Sequence, residues 1–360
     1  MSPKILLISN MYPSKENPSY GIFVKNFIKI LSNNFDFKNI VIRGREKSKL
    51  KKLLNYVVFS IKIIFYGIFK KYDIIYLHYV THASLPLLLV SYFTKAKIVL
   101  NYHGDDLVRN ISFTQKILFY VSKILSNKAD LIVVPSDFFK KRVIEILEVE
   151  ENDIYVYPSS GIDLELFRPL SKAKNKNKFG FNEDDYVVGM VSSIYEAKGW
   201  KVFLDAMCEL KKDILNLKIL IAGRGIEEKE LLSYIKKKNL DDIVVFVREK
   251  THSELVEIYN ALDIFIFPTM LEESLGLVGL EAMACGVPVV GSNIGGLTDY
   301  IKDDYNGYLF EVASSEEMSL KIKQCIGNDK LVQGAVNTAL SFSSTKVTGE
   351  LLDTLKGLKC

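Results

Sequence analysis

The stretch PTMLEESLGLVGLEAMACGVPVVGSNIGG, residues 268–296, decides the fold. It begins where an apolar run, DIFIFP (263–268), reads as a strand ending at Pro268. A polar loop follows. Gly276 then opens a helical run through Glu281 and Ala284, Gly286 and Pro288 stop it, and VPVVG starts another strand. Strand, helix and strand in this order make a βαβ unit, which calls for a parallel sheet. The N–H groups at such a helix start, beside small Gly276, make a cradle for phosphate. Glu273 lies just before the helix and Glu281 about one and a half turns inside it. A diphosphate at the helix start would therefore have a carboxylate on each side, one suited to a sugar and the other to a ribose diol.

The same alternation runs outward through the chain. Lys4–Ser9, Ile74–Leu77, Ile98–Tyr102 and Leu131–Pro135 are short apolar runs separated by helical stretches. Tyr186–Val191, Leu217–Ala222, Ile243–Val247, Ile264–Pro268 and Val287–Gly291 repeat the pattern. Between the two sets, SKAKNKNK (171–178) is polar and lysine-rich and reads as a linker. A chain of 360 residues is too long for one ordinary core. The expectation is an α/β protein of two doubly wound domains, with ligands bound at strand C-terminal ends in the cleft between them. The domains are expected at 1–170 and 180–340, with 341–360 as a further C-terminal segment.

Composition narrows the class. Charged residues make up 25%, ordinary for a folded soluble chain. The four cysteines, Cys208, Cys285, Cys325 and Cys360, are scattered and form no CxxC pair, so neither a disulfide framework nor a zinc site is indicated and a reducing cytoplasm is expected. The opening MSPKILLISNMYPS is interrupted too soon to read as a signal peptide. From Phe37 to Tyr102 there are twelve Lys and Arg against two acids, a local balance of +10. This block encloses YVVFSIKIIFYGIF (56–69), interrupted by Lys62 and short of the roughly 20 residues needed to span a bilayer. The pattern predicts a helix lying on an anionic membrane surface, with the lysines from Lys38 to Lys71 at the headgroups and Phe59, Ile63 and Phe69 inserting. The alternative is a buried helix with a solvated approach.

The segment around 268–296 resembles the Glu-x7-Glu motif of the family 4 retaining glycosyltransferases of the GT-B fold, here Glu273-SLGLVGL-Glu281 followed by AMACGVPVV. The resemblance covers nearly the whole chain in order. It implies two Rossmann-like domains facing across a cleft: acceptor-binding first, nucleotide-sugar-binding second, with the final helix returning to the first. It implies that Glu273 faces the donor sugar, that Glu281 binds the ribose hydroxyls, and that N–H groups of Leu275, Gly276, Leu277 and Val278 hold phosphates or sugar hydroxyls. In SSIYEAKGW, Lys198 matches the family's basic residue on the donor diphosphate. The family's arginine five residues earlier is replaced by Ser193, which removes one positive charge, and Arg224 and Arg248 are the candidate substitutes. IAGRGIEEKE has only G-x-G, so it supports NAD binding weakly. The resemblance makes that turn a lining of the nucleotide pocket, with Arg248 near the base.

In the first half, NYHGDDL (101–107) resembles the family's His-Gly-x-Asp loop, which implies that His103 reaches the donor sugar. His78 and His82 at another strand end are open between core and acceptor roles. NPSYGIFVKNF places Gly21 at the entrance of the first long helix, where the family brings a glycine backbone to the donor phosphate. YPSSGIDLELFRP (157–169) is similar to the family's interdomain Pro-Asn-Gly-Val-Asp element, with Ser159 and Ser160 in place of the asparagine.

The implied activity is retaining transfer of a hexose from a UDP-sugar, or alternatively a GDP-sugar, to a glycan or lipid-linked acceptor in surface-polysaccharide biosynthesis. Catalysis is expected from Glu273, His103 and Lys198. Donor binding is expected from Gly21, Ser193, Lys198, Arg224, Arg248, Leu275 to Val278 and Glu281. Attack comes from the face of the leaving diphosphate, and Lys198 and helix N–H groups stabilise the growing negative charge. No DxD-like site has matching context, so no cofactor and no obligatory metal are expected. The expected partners are the nucleotide sugar, the acceptor and an anionic membrane at the inner face of the cell, with no nucleic acid. Competing readings are a nucleotide-sugar epimerase, a phosphorylase, and a degenerate nucleotide-sugar-binding subunit, the last supported by Ser193.

Overall fold

The computed structural model describes residues 2–358 except 19, 108–111 and 249, and excludes the side chain of Asp105. The chain divides into two compact units. Unit 1 comprises Met1–Ser160 and Val347–Cys360, and unit 2 comprises Gly161–Lys346.

Unit 1 is built on strands β1 (Lys4–Tyr12), β2 (Asp36–Arg43), β3 (Ile74–His78), β4 (Lys97–Asn101), β5 (Leu131–Val134) and β6 (Ile154–Val156). Its helices are α1 (Ile22–Leu31), α2 (Lys49–Phe69), α3 (Ser84–Ser91), α4 (Phe113–Ser126) and α5 (Asp137–Leu147). The strands form one parallel sheet in the order β2-β1-β3-β4-β5-β6. Helices cover both faces, so the central strands are apolar on both sides. In β1, Leu6 and Ile8 join the core that contains Phe59 and Ile63 of α2 and Leu87 of α3, while Ile5 and Leu7 join Val24 and Phe27 of α1.

Unit 2 has strands β7 (Tyr186–Val191), β8 (Leu217–Ala222), β9 (Val244–Val247), β10 (Ile264–Phe267), β11 (Val289–Ser292) and β12 (Gly307–Phe310). They form a second parallel sheet, ordered β12-β11-β10-β7-β8-β9. The helices are α6 (Lys172–Lys178), α7 (Trp200–Asp213), α8 (Glu228–Lys237), α9 (His252–Ala261), α10 (Leu277–Ala284), α11 (Leu297–Tyr300), α12 (Ser315–Cys325) and α13 (Lys330–Ser341). The final helix, α14 (Ser344–Gly357), belongs to unit 1 from Val347 onward, and its Val347, Leu351 and Leu355 join the core with Ile5 and Leu7.

Three expectations need correction. SKAKNKNK is not a linker: it is α6, capped by Ser171 and anchored by a buried lysine. Lys176 Nζ donates to the carbonyls of Asp185 (2.6 Å) and Glu183 (3.2 Å) and pairs with Asp263 at 2.9 Å, which satisfies its charge inside the domain. The apolar segment 56–69 belongs to a longer helix, α2, whose 21 residues are long and apolar enough to cross a membrane. That helix is instead a layer of unit 1, because Phe59, Ile63 and Gly67 are buried in the core. Phe59 and Ile63 therefore cannot insert into lipid. The exposed apolar residues of α2 are Leu50, Leu53, Leu54, Val57, Val58, Ile61, Phe65 and Phe69.

Ser159, Ser160 and Gly161, where the chain leaves unit 1 for unit 2, all have left-handed backbone (φ +47°, +77° and +68°). Two consecutive serines in this region are strained, since only glycine adopts it freely.

Candidate active site

In unit 2 the chain runs from β7 outward through β8 to β9, then returns to place β10 on the other side of β7. The gap between β7 and β10 is thus the topological switch point, where doubly wound sheets bind ligands beyond the strand C-termini. Lys198 follows β7 and Glu273 follows β10. The two meet at this gap, with Lys198 Nζ 2.5 Å from Glu273 Oε1 and both side chains half-buried.

The surrounding backbone fixes this pairing. Lys198 ends a short 3-10 turn, Glu196–Lys198, and Gly199 next to it has φ +76°. A Cβ at Gly199 would lie 1.8 Å from the carbonyl oxygen of Pro268, so only glycine lets the turn sit against the end of β10. The N–H of Met270 donates to the carbonyl of Ala197 at 2.8 Å and joins the two loops directly. Thr269 Oγ1 donates to Glu273 Oε1 at 2.9 Å. On the far side, the N–H of Gly296 donates to the Glu273 carbonyl at 2.7 Å. A Cβ at Gly295 would lie 2.6 Å from the Glu273 nitrogen.

Gly276 is the N-cap of α10 with φ +84°. Its carbonyl accepts from the Tyr300 hydroxyl at 3.0 Å, and the ring of buried Tyr300 leaves no room for a Cβ at Gly279. Leu275 is buried, while Gly276, Leu277 and Val278 are half-buried at the first turn of the helix. Glu281 lies inside α10 at 5% exposure, and its Oε2 accepts from the Tyr259 hydroxyl at 2.8 Å. Burial raises its pKa, and the Tyr259 hydrogen bond opposes that shift.

Of the other expected donor groups, Ser193 and Arg224 lie on adjoining loops after the neighbouring strands β7 and β8. Ser193 is exposed just beyond β7. Arg224 is exposed after β8, and its carbonyl accepts from the Ile194 N–H at 3.0 Å. Arg248 Nε pairs with Glu228 Oε2 of α8 at 3.2 Å. The structure therefore unites Glu273, Lys198 and the first turn of α10, and engages Arg248 with a carboxylate of its own domain.

In unit 1, His103 Nε2 lies 3.0 Å from Nδ1 of buried His78, and Tyr79 stacks on the His103 ring with centroids 4.9 Å apart. Burial pushes the His103 pKa down to about 3 and holds His78 well below the usual range, so both rings are neutral near pH 7. Asp106 accepts the N–H groups of His103 (2.9 Å), Gly104 (3.0 Å) and Val80 (3.3 Å), which ties the loop after β4 to the loop after β3. Gly21 is the N-cap of α1 with φ +70°, and a Cβ there would lie 2.5 Å from the backbone of Met11. Cys208, Cys285 and Cys325 are free thiols, and Cys360 lies outside the described residues.

Sequence reasoning missed Thr269, Gly295, Gly296, Tyr300 and Tyr259, which position the two glutamates and the helix start. The paired glycines after β11 carried a signal of close backbone approach. Nothing in the linear sequence distinguished the two tyrosines from core residues.

Two six-stranded parallel sheets with this site define a GT-B protein. Residues 171–340 match the family described as glycosyl transferases group 1, and residues 29–166 match glycosyltransferase family 4. The two matches together support a group 1 glycosyltransferase of GT-B type. It is 30% identical over 239 residues to a D-inositol 3-phosphate glycosyltransferase of Saccharomonospora viridis, a match covering 63% of this chain and 55% of that protein. The chain thus spans about half the length of that relative. Over 361 residues it is 27% identical to the uncharacterized glycosyltransferase MJ1178 of Methanocaldococcus jannaschii, with 94% of each chain covered. Among solved structures, Alr3699/HepE of Anabaena in complex with UDP superposes with a TM-score of 0.81 at 20% identity, covering 98% of this chain and all of that one.

Proposed function

We propose that the protein is a retaining glycosyltransferase that moves a hexose from a nucleotide diphosphate sugar, a UDP-sugar before a GDP-sugar, to a glycan or lipid-linked acceptor. The observation that carries this reading is the Lys198–Glu273 pair at the switch point of unit 2, beside the first turn of α10. A diphosphate at that turn would draw Lys198 onto its oxygens, and Glu273 would exchange the lysine for sugar hydroxyls. The acceptor oxygen attacks the anomeric carbon as the bond to the diphosphate breaks. Its proton passes to the departing phosphate, and both events occur on one face of the sugar. Lys198 and the helix N–H groups stabilise the charge that grows on the diphosphate, so no obligatory metal or cofactor is needed. Glu281 receives the ribose hydroxyls. His103 takes part as a neutral hydrogen-bonding ring rather than a cation. The binding of UDP and glucose by the Anabaena neighbour supports the choice of a UDP-sugar.

Unit 1 supports this reading of the acceptor and suggests a location. Helices α2, α3 and α4 carry six lysines and no acids, and they expose Leu53, Phe65, Phe69, Leu85, Leu89 and Phe113. This composition suits an anionic bilayer and supports a location on the cytoplasmic face of the cell membrane, in surface-polysaccharide assembly.

A catalytically degenerate binder has the exposed Ser193 in its favour, since one cation of the family pattern is gone. Release of nucleoside diphosphate from a panel of UDP- and GDP-hexoses separates the readings, with Glu273→Ala as control. The enzyme reading expects release by the wild type from at least one donor, with the anomeric configuration kept in the NMR spectrum of the released sugar. Release from none, or an inverted sugar, overturns it.

A further inference from the structure

Unit 1 has a switch point of its own. The chain leaves β1 through α1 to β2 on one side, returns through α2 to β3 on the other and moves on through α3 to β4, so the strand order reverses between β1 and β3. A cavity of about 450 Å³ opens there, within the range of small-molecule sites. It is lined by Asn10 at the end of β1, Arg45 after β2, Tyr79 after β3, and Lys52 and Tyr56 of α2.

Its lining is incomplete without a ligand. Asn10 is only 6% exposed, and its Nδ2 reaches the Tyr56 hydroxyl at 3.4 Å while its Oδ1 has no hydrogen-bond partner. A buried acceptor left alone is costly, and a ligand hydroxyl would satisfy it. Tyr79 holds a left-handed backbone (φ +59°), the kind of strain that collects at binding sites. The Arg45 guanidinium lies over the Tyr20 ring at 5.1 Å. Among the described residues no carboxylate pairs with Arg45 or Lys52, and the nearby Glu46 carboxylate is engaged by the Ser48 N–H at 2.9 Å. His82 also lines the cavity, and burial together with Lys52 lowers its pKa, which leaves a neutral N–H donor. Two cations with several neutral donors match a phosphate, whose oxygens accept from all of them. Next to Lys52 on α2, Leu53, Leu54 and Val57 are exposed, so a ligand held here can be amphiphilic.

We propose that this cavity binds the acceptor through a phosphate group carried by that acceptor, with Arg45 and Lys52 on the phosphate and Asn10 and Tyr56 on hydroxyls of its sugar. The inference rests on the glycosyltransferase reading and names the acceptor class within it. The phosphate belongs to a lipid-linked acceptor or to a soluble sugar phosphate.

The test is calorimetric titration of the full chain with UDP present in excess, so that phosphate binding to unit 2 is blocked. The probes are farnesyl phosphate and glucose 1-phosphate, with farnesol and glucose as uncharged counterparts. At least one phosphate is expected to bind, about tenfold or more tightly than its uncharged counterpart. The double variant Arg45→Ala/Lys52→Ala should lose about tenfold or more for that phosphate and keep its UDP affinity. Binding of farnesyl phosphate alone identifies a lipid acceptor, and binding of glucose 1-phosphate alone identifies a soluble one. The proposal is overturned if neither phosphate binds, if the uncharged probes bind equally well, or if the double variant binds the phosphate unchanged. A wild type that fails to bind UDP counts against the donor reading, and the phosphate titration then runs without UDP.

Discussion

Lys198 and Glu273 are 75 residues apart in the chain and 2.5 Å apart in space, because β7 and β10 are neighbours in the sheet. The pair closes the C-terminal edge of the switch point beside the first turn of α10. Without a diphosphate, each residue satisfies the other's charge. In the function proposed above, a bound diphosphate gives the lysine a better partner and frees Glu273 for the sugar.

Lys198→Ala should damage turnover more than ground-state binding, because charge on the phosphate grows as the glycosidic bond breaks. A fall in kcat of roughly 10²–10³ is expected, the usual loss for one stabilising donor. Steady-state kinetics set beside the dissociation constant of the nucleoside diphosphate check this. Equal losses in both would show uniform binding instead.

The apolar helix face of unit 1 should hold the protein on anionic vesicles. Each lysine near such a surface contributes about 1 kcal/mol, screened within roughly 10 Å by salt. Lys49→Glu/Lys51→Glu/Lys62→Glu should abolish flotation with phosphatidylglycerol vesicles at low salt. Phe65→Ser/Phe69→Ser should weaken the binding that survives high salt. A triple variant that still floats at low salt would mean that the lysines are only a solvated face.

Much of this architecture was legible because parallel strands buried on both faces are continuous apolar runs. YVVGMV and LKILIA announce β7 and β8 without ambiguity. The strands that escaped, β2, β6 and β12, all lie at sheet edges. There, DFKNIVIR is half exposed, and IYV and GYLF are too short to show a period. Helix α6 escaped because a lysine buried on Asp263 looks solvated in one dimension. At the site, the residue types were readable from the motif. Their pairing was not, since it depends on the return of β10 beside β7.

The histidine pair, His78 buried and His103 partly buried, makes unit 1 sensitive to acid. The unfolded chain protonates these rings as pH falls through about 6.5, whereas folded His103 resists until about 3. Stability present at neutral pH is therefore lost progressively as pH falls across that window. At pH 5 the loss from His103 is roughly 2 kcal/mol. Urea midpoints at pH 7.5 and pH 5 should diverge more for the wild type than for His103→Gln. Parallel shifts in the two proteins would remove the pair as the cause.

The most direct test of the donor site is calorimetric titration of UDP and GDP into the wild type and Glu281→Gln. Glu281 is almost wholly buried, and Tyr259 holds one of its carboxylate oxygens. Its assigned role is a charged hydrogen bond to the ribose, worth about 1.5–3 kcal/mol. One of the two nucleotides should bind the wild type, and Glu281→Gln should weaken it roughly ten- to a hundredfold. Unchanged affinity in a folded Glu281→Gln protein, or no binding of either nucleotide to the wild type, would contradict the account.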